Sequence, residues 1–161
     1  MIRTRDVPPT ESDEVRRISI AVLDDMPPYV PDPEKYAWLL PGGERIVIGA
    51  YDDERLCGVC TVDTIEQFRD LAYVDASPAG TCYVSALAVE SRMRGQGLGS
   101  RLLREAVNAA RTRNWAYASG HFRAGASEKA ARSVLTDLVR AAIAPHHIGS
   151  WETYWYLLGK L

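Results

Sequence analysis

The sequence predicts an α/β or α+β layer domain, on three observations. Thr81–Val89 is a strongly apolar run, the pattern of a central strand buried on both faces. Gly97–Arg113 places Leu98, Leu102, Leu103, Ala106, Val107 and Ala110 on one stripe, the spacing of an amphipathic helix. Strand-like and helix-like stretches mix around this pair with no repeat, low-complexity tract or linker, so a single domain over 1–161 is expected.

Each element follows from local chemistry. Ile2–Arg5 reads as a short first strand. Thr10-Glu-Ser-Asp13 resembles a capping box, and Val15, Ile18 and Val22 follow at helical spacing. Met26–Pro33 holds prolines that cannot continue a helix, and serves either as a lid over a substrate site or as a plain connector. A short helix is expected around Glu34–Leu40, stopped by Pro41-Gly42-Gly43. Arg45–Tyr51 and Leu56–Val62 form a hairpin across Asp52–Arg55. Thr64–Ala79 mixes Glu66, Phe68, Leu71 and Tyr73 with charges before a turn at Ser77–Gly80. After the central strand and its helix, Trp115–Ser119 is the next strand and Ala126–Arg140 the next helix, with Ala131, Val134, Leu135 and Leu138 in register. Trp151–Leu158 is a closing aromatic strand, one side core and the other an interface or acceptor wall.

Composition removes several functions. A chain of 161 residues buries a real core, and a net charge of −2 gives no global attraction for nucleic acid or an anionic membrane. Arg92, Arg94, Arg101 and Arg104 still make a local basic patch, enough for a small anion. The start of the chain, Met1–Asp6, has no apolar core of a signal peptide, and no apolar run approaches the ~20 residues of a membrane span. Three cysteines cannot all pair, so a reduced, cytoplasmic protein is expected. Cys57-Gly-Val-Cys60 lies in a strand, where positions three apart point to opposite faces, and reads as two small core residues. His146-His147 lacks further ligands at metal spacing, so no metal site is expected.

The informative stretch is Val84–Leu103. A buried strand ends, a basic loop carries three alternating glycines, and a helix begins. Glycines let backbone approach a ligand closely, and the first amides of a helix are unpaired at the positive end of its dipole. Together they make an anion site suited to a pyrophosphate, with Arg94 adding a charge-assisted contact. No lysine follows the glycines, which removes a P-loop, and the spacing Gly95-x-Gly97-x-Gly99 is not that of a dinucleotide fingerprint.

Arg94-Gly-Gln-Gly97-Leu-Gly99 resembles the acyl-CoA-binding signature of the GNAT superfamily of N-acetyltransferases, Arg/Gln-x-x-Gly-x-Gly/Ala, at every fixed position. The resemblance implies a mixed, mostly antiparallel sheet flanked by helices and splayed at an acyl-CoA cleft. It implies acetyl-CoA, or another acyl-CoA, as co-substrate, with no metal. Pantetheine would pair with backbone at Leu87, Ala88 and Val89, and the pyrophosphate would sit on Gly95, Gln96, Gly97, Leu98, Gly99 and Ser100. The implied partners are an amine acceptor, small molecule or protein, and a homodimer; nucleic acid and membrane are not expected.

The catalytic groups depart from the family pattern. Where many members place a glutamate base on the central strand, this chain has Ser85. Where many carry Asn…Ala…Tyr on the later helix, it has Ser127, Ala130 and Val134. Ser127 is therefore a cofactor-side candidate and no tyrosine acid is assigned. The substitutes are Ser85, which can orient a water, His121, whose side chain titrates near neutral pH, and Tyr117 as an acid. Tyr83 and Ser85 alternate on one strand face, so both would line the cleft. Asp63, Glu66 and Asp75 could bind a substrate cation. The expected reaction is acetyl transfer to a primary amine; a non-catalytic CoA-binding module and an aminoacyl-tRNA acetyltransferase are the alternatives.

Overall fold

In the computed structural model, which describes residues 1–23, 40–69, 74, 77–145 and 153–161, the apolar run Thr81–Val89 is strand β4 at the middle of a seven-stranded sheet. Before it come β1 (Ile2–Asp6), helix α1 (Ser12–Leu23), β2 (Ile46–Asp52) and β3 (Arg55–Thr64). After it come helix α2 (Leu98–Thr112), β5 (Tyr117–Arg123), helix α3 (Ala126–Val134), β6 (Leu138–Pro145) and β7 (Thr153–Lys160). The sheet order is β1-β2-β3-β4-β5-β7-β6, antiparallel throughout except for β4 and β5. The expected Glu34–Leu40 helix, the Met26–Pro33 segment, His146-His147, Tyr73, Asp75 and Trp151 lie outside the described residues, apart from Leu40.

Two apolar layers hold the sheet. The α2 stripe packs on β2–β4 over a core that includes Ile48, Cys60, Val62, Leu102, Leu103 and Val107, and α3 adds Ala131. On the opposite face, Val15 and Ile18 of α1 bury against Val47, Val59 and Ala88. A third cluster, Ile65, Phe68, Val74, Tyr83, Tyr156 and Leu158, closes that face beside β5.

Bulges modify the simple strand alternation. In β2–β3, Ala50 faces Gly58 and Tyr51 faces Leu56, so Cys57 is the extra residue. It turns into the same core as Cys60, correcting the expectation that the pair points to opposite faces. All three cysteines are free and buried; burial pushes the Cys60 thiol up and that of Cys82 up to about 12, so neither is a nucleophile. In β3–β4, Thr61 faces Ala86 and Val62 faces Val84, leaving Ser85 as the bulge.

Three element boundaries shift for identifiable reasons. The helix after Gly125 stops at Val134, where Leu135 leaves helical geometry, and Leu138–Pro145 becomes an edge strand on β7 rather than the end of a helix to Arg140. Gly159 makes room for this, since a Cβ there would meet Leu135 Cβ at 3.2 Å. The strand expected at Trp115–Ser119 runs instead over Tyr117–Arg123, because Asn114 turns in the left-handed region and Ala116 N–H donates to Gly80 at 2.9 Å. The helix α1 begins at Ser12, after a 3₁₀ turn at Pro9–Glu11, so Thr10 does not form the expected capping box; Ser12 Oγ donates instead to Pro9 O at 2.7 Å.

Directly after β4, Glu90 gathers Arg17 Nη1 (2.7 Å), Arg92 Nε (2.9 Å) and Arg55 Nη2 (3.0 Å), tying α1 and the β2–β3 hairpin to the loop. Burial alone would raise its carboxyl, but hydrogen bonds from Arg17 and Arg92, with Arg55 nearby, hold it below the usual carboxylate range. A group depressed in the folded state contributes stability that is present above its unfolded pKa, near ~4.3, and is lost as pH falls through the folded value. Glu90→Gln is expected to lower stability by about 1–3 kcal/mol at neutral pH and to flatten the acid limb of the wild-type profile. Urea unfolding at a series of pH values checks this; parallel acid limbs would show that the arginines do not act through the Glu90 charge.

Candidate active-site cleft

The parallel pairing of β4 with β5 lasts only from Thr81–Tyr117 to Tyr83–Ser119. Beyond that level β4 bends at the Ser85 bulge, and the two strands part. Residues 84–89 then have no ladder partner on the β5 side among the described residues, while β3 holds their other side. The gap opens into a cleft of about 660 Å³, running from the loop Arg94–Gly97 and the first turn of α2, past Val84–Val89, to His121, Arg123, Ser127 and Tyr154.

The loop end of the cleft is built from backbone. Gly95 and Gly97 have φ of 79° and 75°, the left-handed region that glycine adopts without strain. Gly97 caps α2, so the amides of Leu98, Gly99 and Ser100 have no carbonyl a turn behind them. A Cβ added at Gly95, Gly97 or Gly99 would meet no atom within 4 Å, so open space lies over all three. Arg94 lines the rim and donates through Nε to Val89 O at 3.0 Å, bracing strand against loop. Open volume, exposed amides and positive charge fit an extended ligand with a pyrophosphate.

Two other arginines of the expected basic patch are engaged in structure. Arg92 binds Glu90, and Arg101 donates to Ile2 O (3.1 Å) and Thr4 Oγ1 (3.3 Å) of β1. Gln96 does not line the cleft; its amide donates to Arg92 O at 3.5 Å. Leu98 is a core residue whose outer edge reaches the cleft.

The bulge reverses the facing of β4. Cys82 and Val84 pack under α2, as do Leu87 and Val89, while Tyr83 and Ala88 face the α1 side. Tyr83 and Ser85 therefore do not belong to one unbroken alternation. Ser85 lines the cleft and donates to Thr61 O at 3.3 Å. Ser127 and Ala130 of α3 line it too, whereas Val134, at the tyrosine-like position, packs into the core edge.

His121 stands within β5 rather than in a loop. Its Nδ1 lies 2.8 Å from Tyr83 Oη, and its ring lies 5.1 Å from that of Tyr156, whose hydroxyl bonds Ser77. Tyr117, four residues earlier, sits at the closed end, paired with Thr81 and packed against the Tyr83 cluster; it does not line the cleft. Asp63 is buried and holds Arg45 Nε at 2.6 Å, and exposed Glu66 pairs with Arg69, so both carboxylates serve structure.

Of the closing aromatic strand, Tyr154 lines the cleft wall, while its neighbour Trp155 lies under Arg132, 5.0 Å from guanidinium to ring centre. One cleft group escaped the sequence reading. Ser19 of α1 is 2 % exposed, lines the cleft, and its hydroxyl has no hydrogen-bond partner among the described residues. The signal was present: Ser19 occupies a polar place on the Val15–Ile18–Val22 stripe.

A mostly antiparallel sheet parted after a short parallel pairing, with a glycine loop heading the next helix, is the fold of the acetyltransferase (GNAT) family. The chain belongs to the acetyltransferase (GNAT) family, whose sequence profile matches residues 13–133. Solved structures share the fold: yncA from Salmonella typhimurium with acetyl-CoA, at 15 % identity and TM-score 0.73 over 99 % of this chain and 94 % of that one. The ribosomal-protein-alanine N-acetyltransferase of Brucella melitensis matches at 18 % identity and TM-score 0.69, over 99 % of each chain. Arabidopsis thaliana NAA60, solved with a bisubstrate analogue, matches at 17 % and 0.68, over 99 % of this chain and 98 % of that one. No curated protein matches the chain in sequence. No described helix is long and apolar enough to cross a membrane.

Ser19→Ala removes a buried hydroxyl that has no hydrogen-bond partner among the described residues, so the ligand-free protein is expected to hold or gain stability, by up to about 1 kcal/mol. Chemical denaturation checks this; a loss above ~1 kcal/mol would mean the hydroxyl is bonded within the fold.

Proposed function

We propose that this chain transfers an acetyl group from acetyl-CoA, or a related acyl from its CoA thioester, to a primary amine of a small molecule or protein. The observation that carries the reading is the continuity of the open cradle over Gly95, Gly97 and Gly99 with the unpartnered edge of β4. The amides of Gly95–Ser100 receive the pyrophosphate beside Arg94, and the edge at Leu87–Val89 takes the pantetheine amides as an added strand would.

The reacting end lies where β4 and β5 separate. There the amine nitrogen attacks the thioester carbonyl; the C–N bond forms, the C–S bond breaks, the amine proton passes to water and CoA leaves as thiolate. Backbone amides near Leu87–Ala88 stabilise the oxyanion. A thiol resembling free cysteine, at pKa ≈ 8.5, leaves readily, so no strong acid is required. His121 offers an imidazole in this region, and Ser85 and Ser19 offer hydroxyls that orient the amine or a water. Ser127 faces the CoA side. With the cradle on the α2 face, the α1 face bearing Ser19 and Tyr83 is the acceptor side.

Thermal unfolding with acetyl-CoA tests the co-substrate. At ~100 times its dissociation constant the ligand should add roughly 2.7 kcal/mol, with NAD giving no shift. A lack of shift with both acetyl-CoA and CoA would end the reading, and binding without turnover on any amine would leave a CoA-binding module.

Gly99→Glu separates binding from folding. Gly99 has ordinary helical geometry and open space, and an acid in a first turn favours the helix dipole. The variant is expected to keep or raise its melting temperature while losing acetyl-CoA binding at least tenfold by calorimetry. Equal affinity in the folded variant would remove the cradle. His121→Ala is expected to cut turnover by ~10²-fold or more with the first amine found in a panel, and a loss below about threefold would remove His121 from the chemistry.

A further inference from the structure

We infer that Tyr83 is a positioning residue: its phenol donates to Nδ1 of His121, keeps the ring proton on Nε2, and makes His121 a neutral hydrogen-bond donor in the cleft rather than a general base. The inference rests on the reading of the cleft as an acyl-transfer site.

The geometry is a matter of counting donors. Tyr83 is 5 % exposed, and its Oη lies 2.8 Å from His121 Nδ1. Nδ1 is the hydrogen-bond partner of the phenol among the described residues. The phenol hydrogen is buried and needs an acceptor, and Nδ1 supplies it when the ring proton sits on Nε2. With the ring proton on Nδ1 instead, the ring would donate to the phenol oxygen and the phenol hydrogen would be buried without an acceptor among the described residues. Burial also keeps the phenol protonated, its pKa pushed up mainly by desolvation.

Both rings are held. Tyr83 stacks on Phe68 at 4.3 Å, and His121 packs against Tyr156, whose hydroxyl is anchored by Ser77. The tautomer is therefore set by packed groups rather than by solvent. In the transfer, His121 lends a hydrogen bond to the negative charge that develops on the thioester oxygen or sulfur and keeps its proton throughout. The amine proton leaves to water, so no base is needed at His121, and Ser85 in place of a carboxylate is consistent with that.

Long-range proton–nitrogen NMR of ¹⁵N-labelled protein, above the titration range of histidine, reads the tautomer directly. The His121 signals are assigned by their loss in His121→Gln. The expected spectrum has a protonated Nε2 and a bare Nδ1; in Tyr83→Phe the signals move towards a tautomer mixture. Addition of acetyl-CoA is expected to shift the wild-type His121 Nε2 signal. A protonated Nδ1 in the wild type overturns the role of Tyr83, and so does an unchanged tautomer in Tyr83→Phe. An Nε2 signal unmoved when acetyl-CoA binds, as judged by the thermal shift, overturns the donor role alone. Failure of acetyl-CoA to bind removes the donor role together with the acyl-transfer reading, while the tautomer still reports on Tyr83.

Discussion

Strands β4 and β5 pair for three residues and then diverge, and every feature of the cleft is arranged around that divergence. The bulge at Ser85 bends one strand, while Gly120 on the other keeps close to Val84, where a Cβ would come within 3.2 Å of the valine Cβ. A parted sheet leaves main-chain groups without a ladder, which is costly in a protein interior. The molecule leaves the outer edge of β4 open to the cleft, and where the strands part Tyr83 Oη ties across to the His121 ring at 2.8 Å.

Charge is distributed with the same economy. Arginines near the loop brace the scaffold: Arg17, Arg55 and Arg92 converge on Glu90, and Arg101 reaches back to β1. At the loop end of the cleft the positive potential comes chiefly from the head of α2 and from Arg94. Backbone recognition of this kind depends on the φ of Gly95 and Gly97 and on empty space, which explains why glycine is needed there more than any particular side chain.

The side chains of the cleft differ from the pattern that the resemblance implied, because Ser85 and Val134 stand where a carboxylate and a phenol were implied. Besides Ser85 and Ser127, polar groups reach the cleft from other elements: Ser19 from α1, His121 from β5 and Tyr154 from β7. Structural relatives below 20 % identity share the fold, and a shared fold does not fix the acceptor.

The sequence by itself determined the central strand, the α2 stripe and the glycine loop, because each is a local pattern: an apolar run, a helical period, and residues whose backbone freedom is intrinsic. Leu87–Val89, Arg94 and Ser127, singled out from the sequence, line the cleft. It did not reveal that Leu138–Pro145 is a strand, since its apolar spacing continues that of α3 and only pairing with β7, past Gly159, decides otherwise. Nor did it reveal the bulges at Cys57 and Ser85, which exist only relative to a partner strand. The meeting of Tyr83 with His121, the exclusion of Tyr117 and the arrival of Ser19 were decided by tertiary structure, because these depend on which strand faces of distant segments are brought together, a fact that no local spacing carries.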